Sequence, residues 1–277
     1  MNKLTKVLVG GCLAAGLANP VSASLITVGG IQFEPGFHIE TASIMETAVG
    51  EVGNVLSGFG RVDLINGQSF NQYCVSGNCE LTFEFGGYET TAIVPGFDPD
   101  EPAGARITFD GGWVNFYVKE GRTANFETGD NFTDGTLWLG LVGVTSRGSL
   151  TYGNPGVDGT LHSSLSNFDA VSAIDDGIGR GWLNVAETPA GIGLANEIFA
   201  TQTQTTNLGT AADFLLTSSF QPDEGDEFFL PLAGTADIRG DAQAVPEPGV
   251  ISLMGLGLLA LGLTAVGLRR REPTASQ

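Results

Sequence analysis

Apolar and polar residues alternate along most of the chain in short runs with a period of two rather than 3.6. In Leu81-Thr82-Phe83-Glu84-Phe85 the alternation is strict and stops at Gly86-Gly87. Val114, Phe116 and Val118 share one face of an extended segment, and Asn115, Tyr117 and Lys119 share the other. Leu137, Leu139 and Leu141 alternate with Trp138, Gly140 and Val142, so this strand is apolar on both faces. Phe214, Leu216 and Ser218 lead to Phe220, while Leu230, Leu232 and Ala236 precede Ile238, opposite Thr235, Asp237 and Arg239. Asn66-Gly67 after Val62-Asp63-Leu64-Ile65 is a two-residue hairpin turn.

Many short strands bounded by Gly, Asn, Asp or Pro predict an all-β fold, an antiparallel β-sandwich of jelly-roll type over residues 24–239. Residues 41–49 read as a short helix or another strand. A short helix near Leu165–Ala173 fits within 163–180. No fixed-period repeat is present, which argues against a solenoid or propeller. Residues 240–249 read as a linker.

The two ends carry different signals. In residues 1–23, Lys3 and Lys6 precede an uncharged apolar run, Val7–Leu17, and Val21-Ser22-Ala23 supplies small residues before Ser24. This is the layout of a signal peptide cleaved between Ala23 and Ser24, delivered by the secretion translocon to signal peptidase. The run is too short to span a bilayer, and Asn19-Pro20 would break a buried helix there. Cys12 lacks the long apolar stretch that a lipidation site would need.

Residues 250–268 contain no charge. As a helix they would extend about 28 Å, just enough for a hydrocarbon core of about 30 Å. Arg269, Arg270 and Arg271 follow, and the positive-inside rule keeps residues 269–277 cytoplasmic. The expected topology places the bulk of the chain outside, on a single-pass anchor in the inner membrane. Directly before the helix stand Pro246, Glu247 and Pro248, whose two prolines hold the backbone extended and away from the helix.

Pro-Glu-Pro, apolar helix and arginine cluster, in that order over residues 245–272, resemble the PEP-CTERM sorting signal of Gram-negative bacteria. The resemblance implies recognition by an exosortase, a membrane cysteine transpeptidase-like protease that removes the helix. It also implies a host that makes exopolysaccharide, and a structural role at the cell surface or in the matrix. Gly29-Gly30, residues 79–88 (CELTFEFGGY), Gly111-Gly112-Trp113 and residues 212–220 further resemble a subgroup of these proteins, some of them tied to floc formation.

Between the signals, residues 24–245 hold 29 acids against seven bases, a net charge of −22. Such a charge repels phosphate backbones, so nucleic acid is excluded as a partner. It also keeps an exported protein soluble. After signal removal Cys74 and Cys79 remain, flanking Val75-Ser76-Gly77-Asn78, and an oxidising compartment favours a disulfide between them. There is no second cysteine pair, and His38 and His162 are isolated, so a zinc site is not expected.

No active site and no cofactor are expected. Ser149 lacks the second glycine of a nucleophile elbow, and the adjacency of His162 to Ser163 and Ser164 does not make a triad. Carboxylate pairs are uninformative in so acidic a chain. Part of a calcium loop is present. Asp130, Asp134 and Gly135 match the first, fifth and sixth places of a calcium loop, but Phe132 and Leu141 stand where oxygen ligands belong. Three acidic loop clusters, beginning at Asp98, Asp175 and Asp223, read as solvated turns. Trp113, Tyr117, Trp138, Tyr152 and Trp182 raise the alternative of a carbohydrate-binding module, with Trp138 assigned to the core and Trp113 to the surface. The leading expectation is a non-enzymatic matrix protein associated with exopolysaccharide, biofilm or floc. A carbohydrate-binding module comes second and a secreted hydrolase third.

Overall fold

The computed structural model describes residues 25–96, 104–148, 156–166, 176–187, 192–223 and 228–243. Two short strands, β1 (Ile26–Val28) and β2 (Ile31–Phe33), form an N-terminal hairpin. β3 (Phe37–Glu46), β4 (Val55–Ile65) and the two-residue β5 (Gln68–Ser69) follow. The longest pair is β6 (Cys79–Pro95) and β7 (Ala105–Glu120). After β8 (Thr136–Val144), two short strands, β9 (Ser146–Arg147) and β10 (Asp158–Gly159), lead to β11 (Leu161–Leu165) and β12 (Gly177–Val185). One helical turn (Asn196–Phe199) precedes β13 (Gln204–Thr205), β14 (Ala211–Ala212), β15 (Phe214–Pro222) and β16 (Leu232–Gly240).

The main sheet is antiparallel and runs β11-β12-β15-β16-β3-β4-β6-β7-β8. β11 also pairs with β7, from Leu161↔Phe109 to Leu165↔Ala105, and β8 pairs with β12, from Trp182↔Val144 to Val185↔Leu141. The order therefore returns on itself, and each strand of the ring has two neighbours. β8 and β11 share one position: β11 lies along the N-terminal halves of β7 and β12, and β8 along their C-terminal halves. Closure removes the unpaired edges that an open sheet exposes to other chains.

The change of partner along β7 falls between Phe109 and Trp113, at Gly111-Gly112. Both glycines have positive φ, +73° and +86°, and Gly87 on the facing strand has +72°. A Cβ on Gly112 would stand 2.1 Å from the Tyr88 ring, so only glycine fits both the backbone and the space. At the predicted hairpin turn, Asn66 (φ 49°) and Gly67 (φ 72°) join β4 to β5, as the type I′ geometry requires.

Residues 41–46 belong to β3, which settles that stretch as strand. Strands β11 and β12 take both ends of residues 163–180, so Leu165, where the short helix was expected to begin, is strand, and residues 167–175 lie outside the described ones. The alternation reads through into burial for Val114, Phe116 and Val118, which face the core; in β8 residues 138–141 are buried on both faces, whereas Val142, expected to be buried with them, is 40 % exposed.

One end of the barrel is filled by rings. Phe33 of β2 stacks on Phe199 at 5.5 Å, Trp138 meets Phe199 edge-on at 5.5 Å, and Phe199 packs on Phe214 at 5.6 Å. The Trp138 indole N–H donates to the Val28 carbonyl at 3.1 Å. Buried Asn196 accepts from the Gly140 and Gly193 N–H groups and donates to the Ala186 carbonyl, so its amide is satisfied as the interior demands. A second aromatic group, Phe59, Phe126 and Phe132, holds the β7–β8 connection against β4, with Phe59 and Phe132 4.3 Å apart.

Candidate functional site

Phe214 pairs with Gly240 at one end of β16, and Glu46 pairs with Leu232 at the other. Eight strand steps of about 3.3 Å separate the two ends. Toward the Glu46 end the interior is not filled. Ile44, Leu56, Phe83 and Phe109 from β3, β4, β6 and β7 face a cavity that Leu161, Gly179, Leu216 and Ile238 from β11, β12, β15 and β16 complete. The space open to the centre of a water-sized sphere is about 60 Å³. A single water needs roughly 10–15 Å³ on that measure, so the chamber holds a few waters or one small organic molecule.

Two ionisable groups stand in this mostly apolar wall, beside the hydroxyls of Thr47, Ser163 and Ser218. Glu46 is only 5 % exposed, and burial pushes its carboxyl up to about 8, so it is a neutral acid at pH 7. Its carboxyl makes no hydrogen bond or ion pair with the described residues. The Tyr88 hydroxyl is buried without a hydrogen-bond partner, and burial raises its pKa. Both positions follow from the strand period: Glu46 continues the inward face of Ile44, and Tyr88 faces inward just past the glycine bend. A neutral carboxylic acid offers one O–H donor and acceptor oxygens, and a phenol offers one of each. Among the described residues the wall contains no basic residue and no cysteine. Its chemistry is that of holding a small polar end inside an apolar chamber.

Of the described residues singled out in the sequence as candidates for chemistry or binding, Ser163 lines this chamber and the others do not. Cys74 and Cys79 form a disulfide with Cα atoms 5.7 Å apart. Ala23, Ser24, Pro246, Glu247, Pro248, Arg269, Arg270 and Arg271 lie outside the described residues, as do Ser149, Tyr152 and the segment 250–268. No helix among the described residues is long and apolar enough to cross a membrane. His162 is half-buried, with Ser146 Oγ 3.2 Å from Nε2 and Thr108 Oγ1 3.4 Å from Nδ1; burial lowers its pKa. Ser146 is fully buried and also donates to the Gly159 carbonyl, while the nearby Asp158 is taken by Arg147 at 2.8 Å. Ser163 donates to the Ile178 carbonyl. These contacts tie strands together and leave no nucleophile exposed among them.

The Asp130–Gly135 stretch is organised by an ammonium. Lys119 Nζ reaches Thr123 Oγ1 at 2.6 Å, the Asn131 carbonyl at 2.9 Å, Glu80 at 3.1 Å, and the Asp134 carboxylate. Phe132 and Leu141 are core residues. Among the described residues no group of three or more His, Cys, Asp or Glu side chains is placed to hold a metal ion. Of the tryptophans, Trp138 and Trp182 are buried, at 0 % and 6 % exposure. Trp113 is half-buried rather than exposed: its ring lies over Gly86 and Gly87, 3.2 Å from where their Cβ atoms would be.

Neither Glu46 nor Tyr88 was a candidate in the sequence. A signal existed for Glu46, since it breaks an inward-facing apolar series two residues after Ile44, but reading it required knowing that 41–46 is a strand. Fold and cavity define the class: a closed antiparallel barrel with an apolar interior open at one end of its packing. No family model, curated protein or solved structure matches this chain.

Proposed function

We propose that the chain is an exported, non-enzymatic structural protein of the cell surface or exopolysaccharide matrix, delivered by its signal peptide and processed at Pro246-Glu247-Pro248 by an exosortase. The Cys74–Cys79 disulfide carries the reading, because such staples persist in oxidising compartments outside the cytoplasm. The edge-free sheet and the acidic surface support it: both suit a protein kept at high local density without self-association through strand edges. A carbohydrate-binding role is the weaker reading, since two of the five candidate rings are buried and Trp113 is half-covered.

The test is the intact mass of the mature protein from its host, with fractionation. A species that begins at Ser24 and lacks the residues after the Pro-Glu-Pro segment is expected, outside the inner membrane. A species that keeps Arg269 through Gln277 in the inner membrane would reduce the C-terminus to an ordinary anchor and remove the matrix role.

A further inference from the structure

We propose that the barrel interior is a binding site for a small, uncharged organic molecule with an apolar body and one hydroxyl, the hydroxyl seated against the Glu46 carboxyl. The inference is independent of where the protein is displayed.

Three observations carry it. The chamber is walled by all eight positions of the ring, so its shape is set by the closed sheet and not by a surface fold of loops. Interiors of proteins normally pack without voids, and a chamber of about 60 Å³ in a core otherwise filled by phenylalanine and leucine is unusual. Finally, the Tyr88 hydroxyl is buried without a hydrogen-bond partner and Glu46, 5 % exposed, has no partner among the described residues; they lie on opposite sides of β4, where Glu46 pairs with Gly58 and Tyr88 with Leu56. A buried polar group left unpaired is destabilising, and a ligand able to pair with it removes that cost.

The ligand class follows from what the wall lacks. With no basic residue lining the chamber among the described residues, an anion would meet a carboxyl, a phenol and the hydroxyls of Thr47, Ser163 and Ser218, and no cation. A cation would have to ionise Glu46 and bury the ion pair, whose desolvation cancels much of the attraction. An alcohol both donates and accepts, matching a neutral carboxylic acid, and its hydrocarbon part matches the remaining wall.

Titration calorimetry on the protein as its host processes it, at pH 6, with benzyl alcohol, toluene and benzylamine, tests this. Benzyl alcohol is expected to bind at least tenfold more tightly than toluene, and benzylamine no more tightly than the alcohol. Glu46→Gln, which keeps an uncharged hydrogen-bonding end, is expected to hold benzyl alcohol within about threefold of the parent. Glu46→Leu is expected to lose the preference for the alcohol. Absence of heat with all three compounds would mean a water-filled chamber and overturn the proposal. Equal affinity for toluene and benzyl alcohol in the parent would overturn the role of Glu46 without any variant. Tighter binding of benzylamine would overturn the uncharged class.

Discussion

The Lys119 ammonium lies 3.1 Å from a carboxylate oxygen of Glu80, and both side chains are withdrawn from solvent, at 12 % and 2 % exposure. Glu80 also accepts the backbone N–H groups of Thr123 and Ala124, at 2.8 and 3.2 Å. The pair thus ties the start of the β7–β8 connection to β6, and Asp134 ties its end to the same lysine. Removing one partner of a buried pair leaves the other charge uncompensated. Lys119→Met is expected to cost about 3–5 kcal/mol, while Lys119→Met with Glu80→Gln recovers most of it. Urea unfolding of the single and double variants checks this, and equal losses in both would show that the pair acts only through packing.

Calcium is expected to add nothing to that connection. The Asp134 carboxylate is occupied by Lys119, and Asp130 accepts from the Thr128 hydroxyl at 2.7 Å. Millimolar calcium should leave the melting temperature of the parent unchanged. A rise that is lost in Asp134→Asn would show a site formed by displacing the lysine.

Glu46 makes stability depend on pH in an unusual direction. Its carboxyl holds its proton to about pH 8 when folded, against 4.5 for the ordinary group. Between those values the folded chain binds a proton that the unfolded chain has lost, so stability falls as pH rises. The slope from this group is on the order of 1.4 kcal/mol per pH unit, vanishing below about pH 4.5 and above about pH 8. Glu46→Gln should remove it. The stability difference between parent and variant, by urea unfolding at pH 5.5 and 7.5, is expected to shift against the parent by roughly 2–3 kcal/mol. No shift would mean that water reaches the carboxyl.

The Cys74–Cys79 bond closes a small loop, sequence separation five, so its effect on the unfolded chain is modest. The chain-entropy relation gives about 2 kcal/mol. Cys74→Ser with Cys79→Ser, or a reductant on the parent, should lower stability by that amount without altering the far-ultraviolet circular dichroism. A much larger loss would mean that the loop anchors the Ile31–Cys74 bridge between the N-terminal hairpin and the barrel.

Gly112→Ala is expected to destabilise by several kcal/mol, because a Cβ at φ +86° meets the Tyr88 ring at 2.1 Å. Gly67→Ala has the same sign of φ but open space around it, and should cost only about 1 kcal/mol. Thermal unfolding of the two variants separates steric from backbone effects.

Much of the β architecture was legible before any coordinates. The inward faces of β7, β8 and β16 follow from alternation alone, because a strand's side chains must point to opposite sides. The Asn66-Gly67 turn and the Cys74–Cys79 staple are local too, since each is decided by a few adjacent residues. Trp138 was placed in the core on the same grounds. The site was not legible. Glu46 and Tyr88 are 42 positions apart, and nothing in their neighbourhoods states that both face one chamber.

What the sequence by itself determined is therefore what has a short range: strand periodicity, turn chemistry and the acidic balance. Only the tertiary structure decided that β11 and β8 divide one place beside β7 and so close the sheet. It also decided that Glu46 is buried and uncharged, and that Lys119 gathers four oxygens where a calcium loop was considered. The reason is physical. Alternation specifies which face of a strand is apolar but carries no label for the strand it pairs with. Ring closure, cavity and ion pair are properties of that long-range pairing.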